Sequence, residues 1–132
     1  MKILALDVGT RRIGLAISDD LGVIASPYKT IDRKGADSEI AKIVIKEEVE
    51  KVVVGVPYLE SGELGSQAKD VWDFCEDLKA RLRVPLDFEN ENLTSSEAEV
   101  RLRNKKKKNK GDIDAMAAAI ILEAYLARTK NG

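Results

Sequence analysis

Residues 2–8, KILALDV, are apolar on both faces of the strand they would form and lead directly into Gly9 and Thr10. A strand with no polar face needs cover on both sides, so it belongs in the middle of a sheet. RIGLAIS (12–18) and GVIASPYKTI (22–31) follow, separated by Asp19-Asp20-Leu21. Short turns carrying Gly and Asp favour consecutive antiparallel strands, here a three-stranded meander. Ser38 to Val49 places Ile40, Ile43 and Val44 at helical spacing, with Glu47 next in the series, after the helix-starting Asp37 and Ser38. KVVVGVP (51–57) is a β-branched fourth strand stopped by Pro57. Leu64, Ala68, Val71, Trp72, Cys75, Leu78 and Leu82 then share one helical stripe. A fifth strand starts over Pro85 to Phe88. Thr94-Ser-Ser-Glu97 is a capping box opening a helix to about Arg103, and a last helix runs from about Asp112 to Arg128. This order predicts an α/β chain with a mixed five-stranded sheet and helices on its faces.

At 132 residues the chain has room for one domain, spanning 1–132. Histidine is absent and Cys75 is the only cysteine. Those counts exclude Ser-His-Asp and Cys-His hydrolases, histidine general bases, Cys-rich zinc sites and disulfide scaffolds. Any catalysis must come from carboxylates, lysines, hydroxyls or a bound metal. The formal net charge is −1, so attraction to nucleic acid would need a local patch. No apolar run reaches the roughly 18–20 residues of a membrane span, and the N-terminus reads as a strand and not a signal peptide. A cytoplasmic protein without membrane contact is expected.

Three acids stand out. Asp7 closes the buried strand, where an ionised carboxylate is costly without a cation or several donors. It either caps the turn through Gly9 and Thr10 or serves as a metal ligand or phosphate-facing acid on a rigid strand end. Asp114 starts the buried stripe of the last helix, with Ala117, Ala118 and Ile121 at the following helical positions. Its alternative is an anion favoured by the first-turn macrodipole, a part that Asp112 fits better. Glu91 lies just beyond the fifth strand in FENENLTSSE, where a solvated acid would be unremarkable on its own. Three carboxylates on separate elements are what a two-metal phosphoryl-transfer site uses, and that chemistry needs no histidine.

The stretch RLRNKKKKNK (101–110) holds Arg101, Arg103, Lys105, Lys106, Lys107, Lys108 and Lys110. Alone it would read as a solvated loop. It leads within a few residues to Asp114, however, and a cationic loop beside an acidic site would hold a phosphate backbone over it. Arg11 and Arg12 would lie near Asp7 and add to the patch. No aromatics are interleaved, so base stacking is not supported. Asp7-x-Gly-Thr-x-x-x-Gly14 also resembles the first phosphate-binding hairpin of the actin and sugar-kinase superfamily. That fold closes a second domain over its nucleotide, which 132 residues cannot supply.

The chain resembles the YqgF/RuvX family almost end to end. LALDVGTRRIGLAISD (4–19) is similar to the family's opening signature, VVVGVP (52–57) to its Gly-x-Pro strand, and DIDAMAAAIIL (112–122) to its closing helix. The resemblance implies a ribonuclease H-like fold, with three antiparallel strands followed by two parallel ones. It also implies Asp7, Glu91 and Asp114 as the catalytic, Mg²⁺- or Mn²⁺-binding set of a nuclease. The middle motif departs from the family's usual Asp-Glu-Arg-Leu pattern, reading Asn90-Glu91-Asn92-Leu93. Asn90 loses a charge and Asn92 removes a cation. Similar proteins suggest processing of the 5′ end of precursor 16S ribosomal RNA. The alternatives are four-way DNA junction resolution, which would require a dimer, and a non-catalytic RNA-binding assembly factor. The protein is expected as a monomer or homodimer.

Overall fold

A computed structural model of the chain describes residues 1–57, 65–90 and 110–129. Its elements are β1 (Ile3–Val8), β2 (Arg12–Ser18), β3 (Ala25–Asp32), α1 (Ala36–Lys46), β4 (Lys51–Val56), α2 (Ser66–Lys79), β5 (Leu86–Asn90) and α3 (Lys110–Thr129). The strands form one sheet in the order β3-β2-β1-β4-β5, so the apolar first strand is central. β1 pairs antiparallel with β2 and parallel with β4, and β4 pairs parallel with β5. Crossovers through α1 and α2 make the parallel pairings possible.

Alternation along β1 divides the core in two. Leu4, Leu6 and Val8 face α1 and α2, packing with Ile40, Val44, Val71, Cys75 and Leu78. Ile3 and Ala5 face α3, together with Ala16, Val53, Ala118, Ile121, Leu122 and Tyr125. The second layer is rich in alanine on both helix and sheet, which lets α3 lie close across the strands. α3 is buried at Ala117 to Leu122, so among the described residues one helix covers this face.

Local chemistry moves several expected boundaries. β3 begins at Ala25 and not at Gly22, because Gly22 (φ 68°) belongs to a turn. There the Asp19 carboxylate accepts the N–H groups of Val23 (2.7 Å) and Ile24 (2.9 Å), which also hold its pKa below the ordinary value. α1 starts at Ala36, after Gly35 in the left-handed region (φ 75°), and not at Ser38. It ends at Lys46; Glu48 then turns the chain with positive φ so that Val49 is buried again. Within α2 it is Phe74 that is buried, while Trp72 is half-buried and leans on Phe88 with ring centroids 4.2 Å apart. The last helix begins at Lys110, two residues before the expected start. The helix expected over 94–103 lies outside the described residues.

Candidate active site

Asp7 and Gly14 are partners in the β1–β2 ladder and point to the α3 side of the sheet. A Cβ built on Gly14 would overlap the backbone carbonyl of Asp114 and stand 2.9 Å from the backbone N of Ala115. No residue but glycine fits there, and this bare position lets the first turns of α3 rest on the strand. Asp114 is thereby placed beside the strand pair that carries Asp7. Both acids are half-buried.

Two further contacts fix the helix start. The Thr30 hydroxyl on β3 donates to the Gly111 carbonyl at 2.6 Å. Arg12, two residues before Gly14 and on the same side of β2, donates from Nε to Asp114 Oδ2 at 2.8 Å. Asp112 occupies the first turn of α3, where an anion complements the helix dipole.

The loop from Asp7 to Arg12 is held from the other side by Arg33. Its Nη1 donates to the Gly9 carbonyl at 2.8 Å, and Nη1 and Nη2 reach the two carboxylate oxygens of Asp70 at 3.1 Å each. The guanidinium also lies 4.8 Å from the Phe74 ring centroid, and the Arg33 N–H donates to the Arg11 carbonyl at 2.8 Å. Gly9 N–H closes the turn on the Arg12 carbonyl at 2.9 Å. β1, β2, β3 and α2 therefore share in setting this one loop.

Of the residues singled out in the sequence, the structure joins Arg12 to Asp114 and seats Asp114 against Gly14, the ladder partner of Asp7, while Arg11 is exposed in the turn before β2. Glu91, Arg101, Arg103, Lys105, Lys106, Lys107 and Lys108 lie outside the described residues, and of Lys110 only the backbone, at the start of α3, is described. Among the described residues no group of three or more acids or cysteines gathers as a metal-binding cluster. Asp7 and Asp114 can supply two hard carboxylate donors from rigid elements, a chemistry suited to Mg²⁺ or Mn²⁺.

Sequence reasoning passed over Gly14 as a packing residue, Arg33 as a clamp and Glu89. A glycine inside an apolar strand was the available signal for the first. Glu89 pairs with Gly55 on β4, and its carboxylate is committed to Arg128 Nε at 2.7 Å. Next to it Lys51 Nζ donates to the Tyr125 hydroxyl (2.9 Å), which donates to Asp87 Oδ2 (2.8 Å). Burial opposes the charged form of Asp87. The Tyr125 hydroxyl, the Phe88 N–H and the charges of Lys51 and Arg128 outweigh it and lower the pKa. This network borders a cavity of about 950 Å³ whose wall includes Met1 and Ile3, at the opposite end of β1 from Asp7.

The fold is ribonuclease H-like. The RuvC resolvase of Thermus thermophilus in complex with a Holliday junction aligns with a TM-score of 0.62 over 97% of this chain and 95% of that one, at 15% identity. The fowlpox virus Holliday junction resolvase aligns at 0.58 over 97% and 99%, at 13% identity. The family model described as "RuvX: Holliday junction resolvase" matches residues 1–128, and the chain belongs to that family. A relative from Caldanaerobacter subterraneus is 44% identical, covering 99% of each chain. One from Synechocystis is 44% identical over 93% of this chain and 85% of its own. Both are named "Putative pre-16S rRNA nuclease".

Proposed function

We propose that this chain is a divalent-metal-dependent nuclease of the cytoplasm that trims the 5′ end of precursor 16S ribosomal RNA, acting as one ribonuclease H-like domain over 1–132. The observation that carries the reading is the packing of Asp114 onto Gly14, the ladder partner of Asp7, inside a family whose relatives carry that nuclease name. In this reading Asp7, Glu91 and Asp114 hold Mg²⁺ or Mn²⁺. The bound ion supplies charge neutralisation and an activated water for phosphodiester hydrolysis. Asp7 and Asp114 are donors fixed on a strand and a helix that cannot separate without unpacking the sheet, which preorganises them. Arg11, Arg12, Arg101, Arg103, Lys105, Lys106, Lys107, Lys108 and Lys110 supply cations to the backbone of the substrate.

Resolution of four-way DNA junctions is the second reading, favoured by the family description and by the fold shared with two resolvases. The discriminating experiment incubates end-labelled precursor 16S RNA and a synthetic four-way junction with the protein, side by side, in Mg²⁺, Mn²⁺ or EDTA. Metal-dependent cutting of the RNA at its 5′ side supports the first reading. Paired symmetric nicks in the junction, with the RNA intact, would replace it by the second. Salt-dependent RNA binding without cleavage under any metal would leave a binding factor.

A further inference from the structure

Arg12 and Asp114 are each half-buried, and their ion pair joins a candidate substrate-binding cation to a candidate metal ligand. The backbone of Arg12 is not free to withdraw. Its carbonyl accepts from Gly9 N–H and it is paired with Asp32 in the β2–β3 ladder. Asp114 is equally fixed, since its carbonyl rests on Gly14 and Thr30 ties down the preceding turn at Gly111. Only the two side chains can change partner. A guanidinium bonded to a carboxylate oxygen at 2.8 Å repels a second cation approaching that carboxylate, and it also competes for the oxygen's lone pairs.

We propose that Arg12 and the divalent cation are rivals for Asp114, so that Arg12 sets the protein's cation affinity and cation binding releases its guanidinium for a phosphate of the substrate. This deepens the nuclease reading and rests on it. The bond engages Nε, one of five N–H donors, and a planar guanidinium released beside the acids has the geometry to take a phosphate in two bonds. Cation and nucleic acid would then assist each other's binding by the same factor, as linkage requires.

The test is Mn²⁺ affinity, measured by calorimetry and by electron paramagnetic resonance of free Mn²⁺, on wild type, Arg12→Gln, Arg12→Lys and Lys34→Gln. Lys34 is exposed next to Arg33 and serves as a control for loss of one positive charge near the same loop. Arg12→Gln is expected to bind Mn²⁺ about ten-fold more tightly, Arg12→Lys to fall between it and wild type, and Lys34→Gln to change by less than about two-fold. A second readout is the salt dependence of binding to single-stranded RNA. In wild type, saturating Ca²⁺ should steepen the slope by about 0.7, one additional phosphate contact, and in Arg12→Gln it should not.

Equal or weaker Mn²⁺ binding by Arg12→Gln overturns the rivalry while leaving the metal site standing. An equal gain in Lys34→Gln also overturns it, by showing a general field and not competition at Asp114. Absence of Mn²⁺ binding in every protein overturns the metal-dependent reading itself, and this inference with it.

Discussion

Replacing Gly14 by alanine is the most demanding test of how the site is assembled. The added methyl would meet backbone, the Asp114 carbonyl and the Ala115 nitrogen, and neither can swing away as a side chain can. The start of α3 must retreat by on the order of 1 Å, or β2 must bend, and overpacking of this kind costs about 1–3 kcal/mol. Alanine also stiffens the unfolded chain, which offsets about 0.4–1 kcal/mol of that loss. Net destabilisation of about 1–2 kcal/mol corresponds to a fall of roughly 3–10 °C in Tm for a chain of this size. The larger effect should be on chemistry, because misplacing a reacting group by about 1 Å can cost on the order of 100-fold in rate. Thermal melts and single-turnover cleavage of precursor RNA measure the two effects on the same preparation. A Gly14→Ala protein that melts with wild type and cleaves at the wild-type rate would refute the claim that α3 is seated through Gly14.

Other perturbations separate the site from its supports. Arg33→Ala removes the bond to the Gly9 carbonyl and the two-pronged contact with Asp70. Urea denaturation should show a loss of about 1–2 kcal/mol, with a lower cleavage rate and little change in RNA affinity. Tyr125→Phe breaks the link from Lys51 to Asp87 at the far end of the sheet. It should cost about 1 kcal/mol in the same assay and leave cleavage unchanged. The lowered pKa of Asp87 means that its charged form is favoured in the folded protein. Its contribution is full above the unfolded carboxylate pKa of about 4 and is lost as pH falls through the lower native value. Melting temperature followed from pH 6 to pH 2 should therefore decline less steeply in Asp87→Asn than in wild type.

The central strand was legible because Ile3 to Leu6 and Val8 are apolar at successive positions, on both faces of the strand, and cover on two sides is the environment that suits them. The last helix was legible from its long alanine and isoleucine stripe, and with it the inward position of Asp114. What the sequence left open depends on contacts between distant segments. Arg12 and Asp114 are 102 residues apart, and nothing local to either announces their ion pair. Arg33 reads as a surface cation until Gly9 and Asp70 converge on it. Gly14 reads equally well as part of a phosphate-binding hairpin, and only the seat of α3 shows what its missing side chain admits. Trp72, expected in the core stripe, is half-buried, and Phe74, outside that stripe, is buried, because apolar spacing alone leaves the rotation of a helix loosely fixed.

In the proposed mechanism Asp7 and Asp114 act as one unit, and a double-mutant cycle on cleavage rate measures their coupling. Asp7→Asn, Asp114→Asn and the double variant should each melt as folded proteins. Each should cleave precursor RNA at least 1,000-fold more slowly than wild type in saturating Mn²⁺, on the order seen when members of a catalytic unit are removed. The double variant should be little worse than either single one. Cleavage near the wild-type rate in either single variant, or losses that multiply in the double one, would contradict it.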